Sequence, residues 1–261
     1  MTLLVGIKCT NAVVLAADTA ATYGGLGGST VKQLTRKICI VAEGAAIATS
    51  GPVGIGQRLA GELGQKALLD AVQGMESWQA MTLIRLKFVE HLVRELAIAS
   101  EAAKALGQHA LQSAVSSTLV ALSVRGSPRL FQFDQQGAPE EFTTLPWVTC
   151  GSGQNSADAF VSFLRRIFWR DREPTREEGI FTALWTVLQG IESAHGGIGG
   201  TPQVVLLEGG NARELSDSEL QEHRQSIGAA EDALANFRHD LSRVSSAPAL
   251  PSFADEKPSS S

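Results

Sequence analysis

Short apolar runs and helical periodicities alternate in blocks along the chain. Residues 2–8 and 12–18 are β-rich runs separated by Cys9-Thr10-Asn11, the pattern of a hairpin. Glycine dominates residues 23–29, which predicts a loop. Residues 37–41 and 45–50 make a second hairpin about Glu43-Gly44. After Gly51-Pro52 the spacing turns helical, with Ile55, Leu59 and Leu63 running on into Ala67 and Ala71 until Gly74 breaks the pattern. A longer helix follows, carrying Met81, Ile84, Phe88, Leu92 and Leu96 on one face and charges opposite. Strands return at 116–124, 129–134 and 147–150, the last ending in Gly151-Ser152-Gly153. Ser156 is placed to cap a helix over about residues 157–169, a further helix covers about 176–194, and 203–208 reads as a last strand.

Runs of strands followed by runs of helices predict a layered α+β fold. Two antiparallel sheets packed face to face, each with a helix pair outside, are the expected arrangement, a four-layer αββα sandwich over residues 1–212. The segment 213–244 has a different pattern. Ser216-Asp217-Ser218-Glu219 matches a capping box. Leu220, Ile227, Leu234 and Leu241 then recur every seven residues, with Ala230, Phe237 and Val244 three further on. This amphipathic helix suits docking on its own domain or contact with a neighbouring subunit. Residues 245–261 are dominated by Pro, Ser and Ala, a composition that buries no core and predicts a disordered tail.

Composition narrows the function classes. Apolar residues make up 44% of the chain, enough for a sizeable core. The net charge of −5 and the absence of a basic stripe argue against nucleic acid as a partner. No window approaches the roughly 20 apolar residues of a membrane span, and the N-terminus lacks the basic region of a signal peptide. Cys9, Cys39 and Cys150 form no CxxC pair and read as reduced thiols of a cytoplasmic protein. The five histidines, His91, His109, His195, His223 and His239, have no ligand spacing, so no metal or organic cofactor is expected. Gly51-Pro-Val-Gly54-Ile-Gly56 completes neither phosphate-loop fingerprint.

Thr2 supplies the candidate chemistry. Cytosolic removal of Met1 before a small residue leaves one residue holding both a hydroxyl and a free α-amine. The amine, with an ordinary pKa near 8, is able to take the hydroxyl proton close to neutral pH. The run Thr2-Leu3-Leu4-Val5-Gly6-Ile7, followed by Ala12-Val13-Val14-Leu15-Ala16-Ala17-Asp18 and Ala21-Thr22, resembles the opening of proteasome β-subunits. The likeness extends over most of residues 2–210. It takes in Lys37-Ile38, Thr49-Ser50-Gly51, Gly151-Ser152-Gly153 and Glu192-Ser193-Ala194-His195-Gly196-Gly197. Within that family, the chain is most similar to bacterial HslV-type proteases and the beta-proteobacterial proteasome homologue.

The resemblance implies an N-terminal-nucleophile (Ntn) hydrolase fold and a set of roles. Thr2 is the nucleophile, Asp18 orients the catalytic lysine, and Gly51 offers its N–H to the oxyanion. Ser152 lies by the nucleophile's amine. Lys37 is favoured as the lysine over Lys32, because it keeps the family's distance to Gly51. Glu192 and His195 replace the aspartate and serine usual in the amine network. Ala21, Thr35, Cys39, Thr49 and Val53 are expected to line an apolar pocket. The implied partners are unfolded protein or peptide substrates, copies of the chain in two stacked rings, and a AAA+ unfoldase. A tetradecamer is favoured, with a dodecamer as the alternative. Two other readings compete: an inactive ring subunit, and an Ntn amidase for small molecules. The first usually keeps a longer leader and loses the lysine, and the second usually begins with Cys or Ser.

Overall fold

The computed structural model describes residues 2–23, 31–107, 109–112, 114–193 and 197–244. The glycine-rich loop from residue 24, His195 and the tail from 245 fall outside these described residues. Strands β1 (Leu4–Cys9), β2 (Ala12–Ala17), β10 (Trp147–Cys150), β11 (Gln203–Glu208) and β12 (Asn211–Glu214) form one sheet, in the order β10-β1-β2-β11-β12. Strands β5 (Ile38–Ala42), β6 (Ala45–Ser50), β7 (Ser117–Val124), β8 (Ser127–Phe133) and β9 (Pro139–Glu141) form the second, in that order. Every pairing in both sheets is antiparallel. A small ribbon of β3 (Ala20–Tyr23) and β4 (Val31–Leu34) stands apart from them.

The strand sequences explain the layering. β2 reads Ala-Val-Val-Leu-Ala-Ala and is buried at all six positions, so both of its faces are covered. Leu4, Val13, Leu15 and Ala17 face the second sheet and meet Ala46, Ala48, Leu119 and Leu130 in one buried cluster. On the opposite face lies α6 (Arg176–Ser193), brought close by glycine. A Cβ added at Gly179 would stand 2.3 Å from Cys9 Sγ. Helix α5 (Gln154–Phe168) completes that outer layer. The outer face of the second sheet is covered by α1 (Val53–Leu63), α2 (Lys66–Gln73) and α3 (Ser77–Leu106). There Ile84, Phe88 and Leu92 pack with Leu59, Leu63, Val120 and Phe131. The chain is therefore an αββα sandwich of the N-terminal-nucleophile-hydrolase type. Met81 and Leu96, expected on the same helix face, are only half-buried.

Some boundaries differ from the sequence expectation, each for a local reason. The helical pattern from Ile55 to Ala71 splits into α1 and α2 at Gly64-Gln65, where the Gly64 N–H closes α1 onto the Ala60 carbonyl. A short helix, α4 (His109–Gln112), follows α3. Ser156 caps no helix, because α5 already begins at Gln154 with Gly153 as its N-cap. The edge strands β9 and β12 read Pro-Glu-Glu and Asn-Ala-Arg-Glu, so neighbours rather than intrinsic preference place them in the sheets. Helix α7 (Asp217–Val244) starts with the expected reciprocal cap, the Ser216 N–H donating to Glu219 at 2.8 Å. The chain divides into a compact unit Met1–Arg224 and a smaller unit Gln225–Ser261. In the smaller unit, residues 231–237 of α7 are all exposed.

Phe88 is 1% exposed and meets Phe133 edge to face at 5.0 Å. Replacing it with alanine is expected to lower the unfolding free energy by about 3–5 kcal/mol, read from urea denaturation. A loss well under about 1 kcal/mol would mean that α3 does not hold its layer through this contact.

Candidate active site

Thr2 enters β1 in the grip of the turn that follows β10. The Thr2 nitrogen donates to Ser152 Oγ at 3.0 Å, and the Gly153 N–H donates to the Thr2 carbonyl at 3.3 Å. Gly151 makes this approach sterically feasible. Its φ is +96°, and a Cβ there would stand 2.3 Å from the Thr2 carbonyl oxygen. Ser152 therefore sits on the nitrogen of Thr2.

Asp18 follows β2 and is completely buried. Its carboxylate takes three hydrogen bonds. Oδ1 accepts the Leu3 N–H at 2.9 Å and Lys37 Nζ at 2.7 Å, and Oδ2 accepts the Gly199 N–H at 3.1 Å. Lys37 stands immediately before β5, with only 7% of its side chain exposed. Burial pushes the Lys37 ammonium below its ordinary pKa, while the hydrogen bond and the charge of Asp18 oppose that shift. The pair spans the two sheets, and through the Leu3 N–H it also holds the residue next to Thr2. Lys32 lies in β4, opposite Thr22 of the ribbon.

Thr2, Lys37 and Gly51 line one cavity of about 600 Å³. Gly51 has φ +126°, and a Cβ there would meet the Val115 carbonyl at 2.7 Å, so this turn requires glycine. All five residues expected in the pocket, Ala21, Thr35, Cys39, Thr49 and Val53, line the same cavity. Burial raises the Cys39 thiol above its ordinary pKa, so it presents a neutral, soft wall rather than a thiolate.

The cavity also has walls that sequence reasoning missed. Ile47 joins its apolar lining, and so do Gly54 and Gly56 of α1, where a Cβ on Gly56 would press on Thr49 at 3.1 Å. Arg36 and Gln57 also line it, Arg36 being paired with Glu214 at 3.1 Å. Gly199 and the buried Gln203 were missed as well. The one signal for Gln203 is a polar residue at the head of the apolar run 204–207.

Glu192 is exposed in the last turn of α6 and has no ion pair among the described residues. His195 lies outside the described residues. Among the described residues, no group of three or more His, Cys, Asp or Glu is placed to hold a metal ion.

The chain belongs to the proteasome subunit family, whose model matches residues 2–196. That span runs from the candidate nucleophile through the end of α6, so it covers both sheets except β11 and β12. No curated protein matches the chain significantly.

The buried pair generates a stability test. Asp18→Asn leaves the buried ammonium without its counter-charge and is expected to cost about 3–5 kcal/mol in denaturant unfolding. Lys37 also contributes a signed pH dependence. It releases its proton at lower pH in the folded chain than in the unfolded chain. Between those two values the unfolded chain holds more protons, so this residue makes stability rise with pH up to its ordinary value of 10.5. Urea midpoints of the wild type minus those of Lys37→Met are expected to climb across that interval. A flat difference would mean that the ammonium is not held in a desolvating site.

Proposed function

We propose that this chain is a threonine-type endopeptidase subunit in which Thr2, once Met1 is removed, is the nucleophile. The observation that carries the reading is convergence at one residue. Ser152 sits on the Thr2 nitrogen, the Asp18–Lys37 pair is tied to Leu3, and Thr2 shares an apolar-walled cavity with Lys37 and Gly51. Family membership supports the same reading.

The chemistry follows from that arrangement. The Thr2 hydroxyl oxygen attacks the scissile carbonyl carbon, and its proton passes to the α-amine. Lys37, held charged by Asp18, favours the developing alkoxide. The Gly51 N–H donates to the tetrahedral oxyanion, a contribution of roughly 3 kcal/mol in comparable enzymes. The C–N bond then breaks, with the ammonium of Thr2 returning a proton to the leaving amine. The ester left on Thr2 is hydrolysed by water, with the amine again as base. This reading uses only protein groups. Glu192 and His195 are assigned to the surroundings of the amine on the resemblance alone.

The particle is read from the family. Copies of the chain form two stacked rings with the sites facing an inner chamber, seven subunits per ring being favoured over six. Unfolded proteins or peptides are the substrates, and a AAA+ unfoldase delivers them. Within the family, we read the chain as similar to the beta-proteobacterial proteasome homologue. A cytoplasmic location accords with the absence, among the described residues, of any helix long and apolar enough to cross a membrane.

Two measurements test the reading. A peptide epoxyketone, which needs both the hydroxyl and the free amine, is expected to add once to des-Met protein and not at all to Thr2→Ala, seen by intact mass. An unmodified chain that still carries Met1 would instead favour a scaffold subunit. A peptide panel is expected to be cut fastest after leucine or phenylalanine. The pocket walls are small or apolar, and the two nearby cations are each paired to a carboxylate. Fastest cleavage after arginine or aspartate would contradict that pocket assignment.

A further inference from the structure

Gln203 is the first residue of β11 and is only 4% exposed. Its Oε1 accepts the Lys37 N–H at 3.2 Å and the Ile38 N–H at 3.1 Å. Its Nε2 donates to the Ile38 carbonyl at 3.0 Å. The reason lies in the topology. Among the described residues β5 is an edge strand that pairs only with β6, and on that side the Lys37 carbonyl accepts the Thr49 N–H. The outer edge at Ile38 therefore presents an N–H and a C=O with no strand to take them. One carboxamide from the other sheet supplies both missing partners.

The backbone of Gln203 has its own fixed place. It lies directly across from Ala17 in the β2–β11 register, one residue before Asp18. A single residue therefore touches both halves of the buried pair's framework. Its main chain faces the strand end that carries the carboxylate, and its side chain holds the backbone that carries the ammonium. The lysine stem is four carbons long and flexible. The position of its nitrogen thus depends on where its Cα is held.

We infer that Gln203 is a positioning residue for Lys37, fixing the entry of β5 so that the ammonium stays on Asp18 beside Thr2. The inference rests on the proteolytic reading above and adds a residue to it. Gln203 touches no reacting atom. Its effect is on the rate at which Thr2 attacks, not on how the cavity binds a peptide.

The test uses the full chain and two readouts: the rate of epoxyketone adduct formation, and kcat and KM for an apolar peptide. Gln203→Met, close in length and without the amide, is expected to slow adduct formation and kcat by about 10- to 100-fold, with KM little changed. In a Lys37→Ala background the same substitution is expected to add no further loss.

Gln203→Glu provides a second variant, of unchanged volume. Only its protonated carboxyl can both accept from the two N–H groups and donate to the Ile38 carbonyl. Its rate relative to wild type is therefore expected to recover as pH falls from about 8 to about 6. Should the methionine variant fail to fold, this profile decides alone. The inference is overturned by a folded Gln203→Met with wild-type rates, by an equal fractional loss with and without Lys37, or by a Gln203→Glu profile parallel to wild type. A wild-type chain that forms no adduct overturns the protease reading itself. An adduct that wild type and Gln203→Met form equally fast overturns only the role given to Gln203.

Discussion

The structure is organised about one ion pair that neither of its sheets could hold alone. Asp18 directly follows a strand of the first sheet, Lys37 directly precedes a strand of the second, and their contact of 2.7 Å is almost wholly out of water. Taking two charges out of water is unfavourable unless every lone pair and proton finds a partner. Here the aspartate is satisfied by two backbone N–H groups as well as by the ammonium. Those two donors belong to Leu3 and Gly199, so the pair also fixes the start of the chain and the segment before β11. The geometry around Thr2 is in this sense a by-product of satisfying a buried carboxylate.

Much of this was legible in the sequence because the residues concerned obey local rules. The alternation of β-rich runs and helical spacing is set by burial on one or two faces, and it locates both sheets and their helix layers. Asp18 and Lys37 stand out as charges at the ends of apolar strands. Gly51 stands out as a glycine beside a proline at the change from strand to helix. What was not legible depends on long-range contact. Nothing in residues 139–141 or 211–214 says that they pair, since their partners β8 and β11 impose the strand. The break between α1 and α2 falls where Gln65 turns extended (ψ 124°), which an amphipathic pattern passes over. The work of Gln203 is invisible locally, because its partners Lys37 and Ile38 lie more than 160 residues away.

The cavity shows how little chemistry a pocket wall needs to carry. Its cations are each matched to a carboxylate, its thiol is held neutral by burial, and its glycines leave room instead of adding groups. Discrimination among side chains then rests on volume and desolvation, which separate near neighbours only weakly. Under the proposed protease reading, such a wall suits acceptance of many peptide sequences.

If Thr2 is the nucleophile proposed above, the placement of the ion pair across the sandwich ties reactivity to folding. A chain whose two layers have not yet met holds a carboxylate on one and an ammonium on the other, with neither near its partner. The residue at the threshold of β1 is then an ordinary threonine. On the proposed protease reading, a molecule whose layers have not docked is chemically silent, and the fold itself acts as the safety catch.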